Sequence, residues 1–196
     1  DDDVVYGPTT ISRWSYGCSK AIDEWLALGH AQRDDLPVVI ARFFNTVGPR
    51  QVGRYGMVVP RFVEAALTGE ALTVHGDGQQ QRCFADVRDV AAVLPGLLHE
   101  PSALGRVFNI GSDREVSIMQ LAETILRELD SASPIVTLPY EEVFGSNFED
   151  LRRRRPNLQR VRSTVGFDAA TPLETTIRDV AEWLSERVAG RPEAKR

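Results

Sequence analysis

Tyr16 and Lys20 stand four residues apart in Tyr16-Gly17-Cys18-Ser19-Lys20. On a helix that spacing puts both side chains on one face, with the ammonium beside the phenol. A phenol ordinarily keeps its proton up to about pH 10. A fixed ammonium, joined by a cationic nicotinamide if one is bound, stabilises phenolate and brings that value toward neutrality. Such a pair can accept the proton of an alcohol that is being oxidised. The plainer reading is an exposed helical Tyr with a solvated Lys nearby. Composition speaks against it, because Lys20 and Lys195 are the only lysines and Arg supplies every other cation.

The pair needs a helix under it and a crevice beside it. Residues 1–14 are acidic and turn-rich and read as a surface loop. Ser15 reads as the N-cap of a helix to about Arg33, packed through Ala21, Ile22, Trp25, Leu26 and Leu28. Val38–Phe44 has the β-branched and aromatic character of a buried parallel strand. Asn45-Thr46-Val47-Gly48-Pro49-Arg50 is the turn at its carboxyl end, where open α/β sheets bind ligands.

Further on, a helix is expected over Val58–Thr68, with Phe62, Ala65, Ala66 and Leu67 inward and Gly69 as its stop. Leu72–His75 reads as a strand, Gly76-Asp77-Gly78 as a tight turn and Gln81–Ala85 as a second strand. Asp89–Leu98 reads as a helix, and Val107–Gly111 as a strand and turn. Ser117-Ile118-Met119-Gln120 is a capping box opening another helix, with Ile135–Leu138 a short strand beyond it. Residues 139–156 read as irregular, Leu173–Val188 as a final helix and Gly190–Arg196 as a tail. Alternating strands and helices define an α/β chain.

Bulk properties exclude several functions. The formal charge of −5 argues against a general polyanion binder, and the Arg152–Arg155 run lacks the aromatic interleaving of a nucleic-acid site. Cys18 and Cys83 are far apart with no metal spacing and read as reduced thiols of a cytoplasmic protein. His30, His75 and His99 are scattered and read as structural, so no metal is expected. No run approaches a membrane span, and no membrane partner is expected. No glycine-rich strand-to-helix turn is present to hold a dinucleotide pyrophosphate. With Asp1-Asp2-Asp3 at the start, the chain reads as a piece of something longer.

An ordered series of segments resembles the extended short-chain dehydrogenase/reductase family acting on nucleotide sugars. It comprises Tyr16-x-x-x-Lys20, Arg42–Arg50, Val59-Pro60-Arg61-Phe62, Val74–Gly78 with Arg82-Cys83-Phe84, and Asp86–Val90. It continues through Phe108–Gly111, Arg154-Arg155-Pro156 and the closing Gly166-Phe167-Asp168 with Pro172-Leu173-Glu174. The closing pattern departs from the family's in having Phe167 for Trp and Ala169 for Pro.

The resemblance implies a Rossmann-like parallel sheet for NAD and a smaller α/β domain for a nucleotide-diphosphate sugar, with a UDP-sugar favoured. Residues 1–56 would end the NAD-binding domain, its amino-terminal half lying upstream. Residues 57–196 would be mainly the nucleotide-sugar domain, with some segments returning to the Rossmann sheet. Tyr16 resembles the general base and Lys20 its partner, and both would contact the cofactor along with Phe43 and Thr46. Asn45, Val59, Phe62, Val74, Arg82 and Arg154 would contact substrate, the arginines through phosphate oxygens. Arg154 alone is taken from the arginine run, for its place two before Pro156.

The leading activity implied is an NAD-dependent 4-epimerase with a transient 4-keto sugar, the chain alone being inactive. A decarboxylase of a nucleotide glucuronic acid and a 4,6-dehydratase are the enzymic alternatives. A non-catalytic nucleotide-sugar binder is the alternative outside catalysis. The family also implies a homodimer, with Ala21–Leu28 facing the partner.

Overall fold

Two apolar cores form in the computed structural model, which describes residues 7–11, 13–53, 57–144 and 150–189. Helix α1 covers Arg13–Asp34, strand β1 Ile40–Phe43 and strand β2 Thr46–Val47. Helix α2 (Val58–Thr68) and strands β3 (Leu72–His75), β4 (Gln81–Cys83) and β5 (Ala85–Asp86) follow. Then come α3 (Val87–His99), a 3-10 turn at Pro101–Ala103, β6 (Val107–Ile110), β7 (Glu115–Ser117) and α4 (Ile118–Glu128). The chain continues through β8 (Ile135–Leu138), α5 (Tyr140–Phe144), β9 (Arg153–Arg154), α6 (Gln159–Val165) and α7 (Leu173–Ala189).

The strand pairs β1–β6, β2–β5 and β3–β8 are all parallel, whereas β4 lies between β7, antiparallel, and β9, parallel. This is the mixed α/β class expected. The first core stacks α2, α4 and α7 on β3, with Phe62, Val63, Leu72, Val74, Leu121, Ile125, Ile177 and Val180 buried. The second gathers Ala85, Val90, Val93, Leu97, Phe108, Ile110, Leu158 and Val161 from β5, α3, β6 and α6. Burial on this scale supplies the main favourable term for a chain of this size.

Several boundaries differ from the sequence reading, each for a local reason. Helix α1 begins at Arg13, so Ser15 is an interior residue and not the cap. Of its expected packing face only Ala21 is buried, while Ile22, Trp25 and Leu26 are more than half exposed. The run 81–85 is two strands, because the chain leaves β4 for a different partner at β5. Helix α3 starts two residues early, on the Asp86 cap, whose carboxylate accepts the Arg88 amide. Strand β7, helix α6 and the short α5 and β9 within 139–156 were not anticipated; each is seven residues or fewer and shows too little periodicity to read. The tail 190–196, the segment 145–149 and residues 1–6 of the expected loop lie outside the described residues.

Other local signals correspond closely to the structure. Helix α2 ends at Gly69 in the left-handed region, φ 74°, which only glycine adopts without strain. The capping box is complete: the Gln120 amide donates to Ser117 Oγ at 3.0 Å, and the Ser117 amide donates to Gln120 Oε1 at 2.9 Å. Ser117→Ala should therefore lower the unfolding free energy by about 1 kcal/mol. Urea unfolding would show this as a shifted midpoint with an unchanged slope.

Candidate active site

Strand β1 stops at Asn45, whose φ of 37° takes the backbone out of the sheet. That kink lets β1 pair with β6 while β2 pairs with β5. Asn45 Nδ2 donates to the Cys83 carbonyl at 2.8 Å, and its own carbonyl accepts the Ala85 amide at 3.2 Å. Gly111 closes the adjoining end of β6, where a Cβ would stand 2.7 Å from that of Phe44. Backbone therefore comes close to backbone at the sheet's carboxyl ends, the position at which such sheets bind ligands.

A cleft of about 270 Å³ opens there. Asn45, Thr46 and Val47 form one side; Val59 and Phe62 of α2 form the apolar wall; Arg82, Tyr140 and Asp150 supply polar groups. Thr73 and His75 of β3 complete it, with Gln80 beneath. Five of the residues singled out in the sequence thus share one cavity: Asn45, Thr46, Val59, Phe62 and Arg82. Val74 does not. It points into the first core with no exposed surface, and its strand neighbours Thr73 and His75 face the cleft instead. The alternation of a strand makes a one-residue choice of face decisive. Arg154 is exposed on β9, its guanidinium 5.4 Å from the centre of the Phe44 ring, and does not line the cleft. Phe43 is half exposed at the end of β1.

The lining is partly charged. Arg82 Nη2 lies 2.7 Å from Asp150 Oδ1, and Asp150 Oδ2 accepts the Tyr140 hydroxyl at 2.8 Å. Burial, and then Asp150, push the Tyr140 phenol well above its ordinary value. His75 is held below its usual value, first by burial and then by Arg61. Thr46 Oγ1, Gln51 Oε1 and Gln80 Oε1 are buried without hydrogen-bond partners in the ligand-free protein. Such groups are costly unless something bound satisfies them. His75, Tyr140, Asp150 and the two glutamines escaped the sequence reading. For His75 and Gln80 the available signal was strand alternation; for Tyr140 and Asp150 there was none, since both come from a stretch without periodicity.

Tyr16 and Lys20 lie outside this cleft on α1, with Tyr16 71% exposed. The Lys20 ammonium is 5.9 Å from the centre of the Tyr16 ring and 2.8 Å from Asp23 Oδ2. The hydrogen bond to Asp23 raises the Lys20 pKa. A half-buried fork joins this helix to the sheet: Arg42 Nε and Nη2 donate to Glu24 Oε1 and Oε2 at 2.6 and 2.7 Å. Arg42 sits two residues before Phe44 on β1, so the strand that ends at the cleft also anchors the helix carrying the pair.

The arginine run is exposed but engaged. Arg152 pairs with Asp77, Arg153 with Glu115, and Arg155 with Asp113 at 3.6 Å. Among the described residues there is no group of three or more metal-ligating side chains, and no helix is long and apolar enough to cross a membrane.

A parallel sheet interrupted at Asn45, a cleft at its carboxyl ends and a Tyr-x-x-x-Lys helix anchored beside it define an α/β protein of Rossmann-like, dehydrogenase-related type. The chain belongs to the NAD dependent epimerase/dehydratase family, whose model matches residues 1–111. It is 39% identical over 187 residues to UDP-N-acetyl-alpha-D-glucosaminuronate decarboxylase of Bacillus cytotoxicus, covering 95% of this chain and 58% of that protein. It is 33% identical to UDP-glucuronic acid decarboxylase 1 of Xenopus tropicalis, covering 90% of this chain and 40% of the relative. Among solved structures, UDP-N-acetylglucosamine 4-epimerase of Methanobrevibacter ruminantium, in complex with UDP-N-acetylmuramic acid, aligns with a TM-score of 0.80 at 25% identity, covering 95% and 57% of the two chains. The chain therefore spans about half the length of the relatives it matches.

Proposed function

We propose that the chain supplies the catalytic helix and the nucleotide-sugar cleft of an NAD-dependent enzyme that oxidises a UDP-sugar at C4. The observation that carries this reading is one cleft with an apolar wall (Val59, Phe62), a hydrogen-bonding turn (Asn45, Thr46) and a guanidinium (Arg82). That combination suits a flat base at one end and a diphosphate at the other. Decarboxylation of a UDP-uronic acid is favoured as the net reaction, because the relatives above 30% identity named here carry that activity in their names. The 4-epimerase reading has its support in the Methanobrevibacter structure and shares the first step.

The residues present fit one end of NAD. Thr46 presents a buried hydroxyl without a partner, the Phe43 ring is exposed at the end of β1, and the Tyr16–Lys20 pair is exposed on the helix that Glu24 ties to that strand. These four would hold the nicotinamide ribose. NAD supplies the hydride acceptor for oxidation at C4 and the donor for the return.

The protein's own part is proton handling and orientation. Tyr16 as phenolate takes the C4 hydroxyl proton, and Lys20 stabilises the phenolate. Arg82 anchors the diphosphate while the sugar ring sits toward Tyr16. With a carboxyl on C5 the 4-keto sugar is a β-keto acid. The C5–carboxyl bond breaks, carbon dioxide leaves, its electron pair passes into the C4 carbonyl, and C5 takes up a proton. A homodimer built on α1 belongs to the same reading, with the exposed Ile22, Trp25 and Leu26 row as its support.

The test is incubation of the full-length protein with UDP-glucuronate and with UDP-glucose, separately. Carbon dioxide and a UDP-pentose from the uronate support the decarboxylase reading. An epimerised sugar with every carbon retained supports the 4-epimerase. No conversion of either sugar, with NAD bound, overturns the proposal.

A further inference from the structure

We infer that Asp150 is a positioning residue: it holds Arg82 and Tyr140 together across the cleft so that Arg82 meets a diphosphate already oriented. The inference rests on the nucleotide-sugar reading of the cleft and goes beyond it in assigning a role to an acid beside an anion site.

The geometry is a chain of constraints. A guanidinium has five N–H donors. Arg82 Nη1 donates to the carbonyls of Gln81 and Leu151 at 2.7 and 2.8 Å, and Nη2 donates to Asp150 Oδ1 at 2.7 Å. Among the described residues three donors are thus spent on fixing the group, which leaves Nε–H and one Nη2–H for ligand oxygens. Arg82 and Asp150 are only 15% and 18% exposed, so neither is free to swing through solvent.

Asp150 is itself held from two sides. Its Oδ2 accepts the Tyr140 hydroxyl at 2.8 Å, and the Tyr140 ring lies flat on Gly76, where any Cβ would stand 2.4 Å from Cε2. Gly76 also has a φ of 71°, so the position is closed to larger residues twice over. On the other side, Arg152 pairs with Asp77 of the same turn, and its carbonyl accepts the Gln81 amide at 2.8 Å. The turn after β3, helix α5, the segment from Asp150 and strand β4 therefore converge on one guanidinium.

A carboxylate beside a phosphate site can act in two opposed ways. As an independent charge it repels the ligand, and removing it tightens binding. As a positioner it works only through Arg82, and removing it loosens binding. A double-mutant cycle separates these. UDP binding would be measured by calorimetry on this chain for the parent, Asp150→Asn, Arg82→Ala and the double variant, with circular dichroism confirming the fold of each. The expected result is a loss of at least about tenfold for Arg82→Ala and about 3–10-fold for Asp150→Asn. In the Arg82→Ala background Asp150→Asn should add nothing.

Tyr140→Phe, which removes one hydroxyl, should give a smaller loss in the same direction; it carries the test should Asp150→Asn fail to fold. Tighter UDP binding by Asp150→Asn or by Tyr140→Phe would overturn the inference. So would an equal loss from Asp150→Asn in both backgrounds, or no loss from Arg82→Ala. If the parent itself fails to bind UDP, the nucleotide-sugar reading of the cleft falls, and the inference with it.

Discussion

Replacing Tyr16 by Phe, in a chain carrying the upstream dinucleotide half, should lower turnover by roughly 10²–10⁴-fold while leaving affinity for UDP-sugar nearly unchanged. The substitution removes only the hydroxyl. The ring is 71% exposed in this chain, so almost no packing is lost with it. On the proposed reading, what disappears is the group that accepts the C4 proton. Steady-state turnover on the uronate, beside UDP affinity by calorimetry, separates the two effects. Turnover equal to the parent's would remove Tyr16 from the chemistry.

Lys20→Met makes the complementary case. The substitution removes the ammonium that stands 5.9 Å from the Tyr16 ring. Turnover on the uronate should fall while affinity for UDP stays near the parent's. Turnover equal to the parent's would mean that the cation takes no part in the chemistry.

Asp86→Ala should lower stability by about 2–4 kcal/mol, through a lost helix cap and a weakened buried hydrogen-bond network. The carboxylate has no exposed surface. It accepts the Arg88 amide at 2.8 Å as the cap of α3, the Arg88 guanidinium through Nε and Nη2 at 2.8 Å, and the Thr176 hydroxyl at 2.7 Å. Arg88 extends the link to Asp179 of α7 at 2.7 Å. One side chain thus joins α3 of the second core to α7 of the first, and its loss leaves a cap amide without an acceptor and the Thr176 hydroxyl with only the longer contact to the Pro172 carbonyl, 3.4 Å. Set against the roughly 5–15 kcal/mol that a domain possesses, the variant is expected to be marginal. Guanidinium unfolding, monitored by circular dichroism, measures the difference.

The same group gives an acid-stability signature. Burial alone would raise the Asp86 pKa, but the Arg88 guanidinium, Thr176 hydroxyl and Arg88 amide together hold it below the ordinary value. A depressed carboxylate stabilises the fold above its unfolded pKa of about 3.9 and loses that contribution as pH falls through the folded value. Asp86→Asn should flatten the fall in stability below about pH 4, and an unchanged acid limb would show that other carboxylates govern it.

How much of this was legible from residues alone depends on the range of the interaction involved. Helix α2, its Gly69 stop, strand β3, strand β8 and the Ser117–Gln120 box are written in neighbours within four positions of one another, and they stand where the sequence puts them. The residues of the cleft were legible where a motif carried them, as with Asn45, Thr46 and Arg82. They were misread where a choice of strand face was needed, as with Val74 against Thr73 and His75. Helix α1 was legible in its extent at the carboxyl end but not in its packing. Its apolar row looks like a core face, and nothing local says that Ile22, Trp25 and Leu26 stand exposed in this chain.

The sequence by itself determined the α/β class, the family, the Tyr16–Lys20 pair and the turn at Asn45, because each rests on local spacing and on residue types with few conformational alternatives. Only the tertiary structure decided that Asp150 meets Arg82 and Tyr140, that Asp86 joins α3 to α7, that Glu24 fastens α1 to β1, and that the arginine run is tied down by acids from other elements. These are hydrogen bonds and ion pairs between distant residues, the Thr176–Asp86 bond joining positions 90 apart. An acid carries no local mark of which base it will meet; the packing of the two cores brings them together.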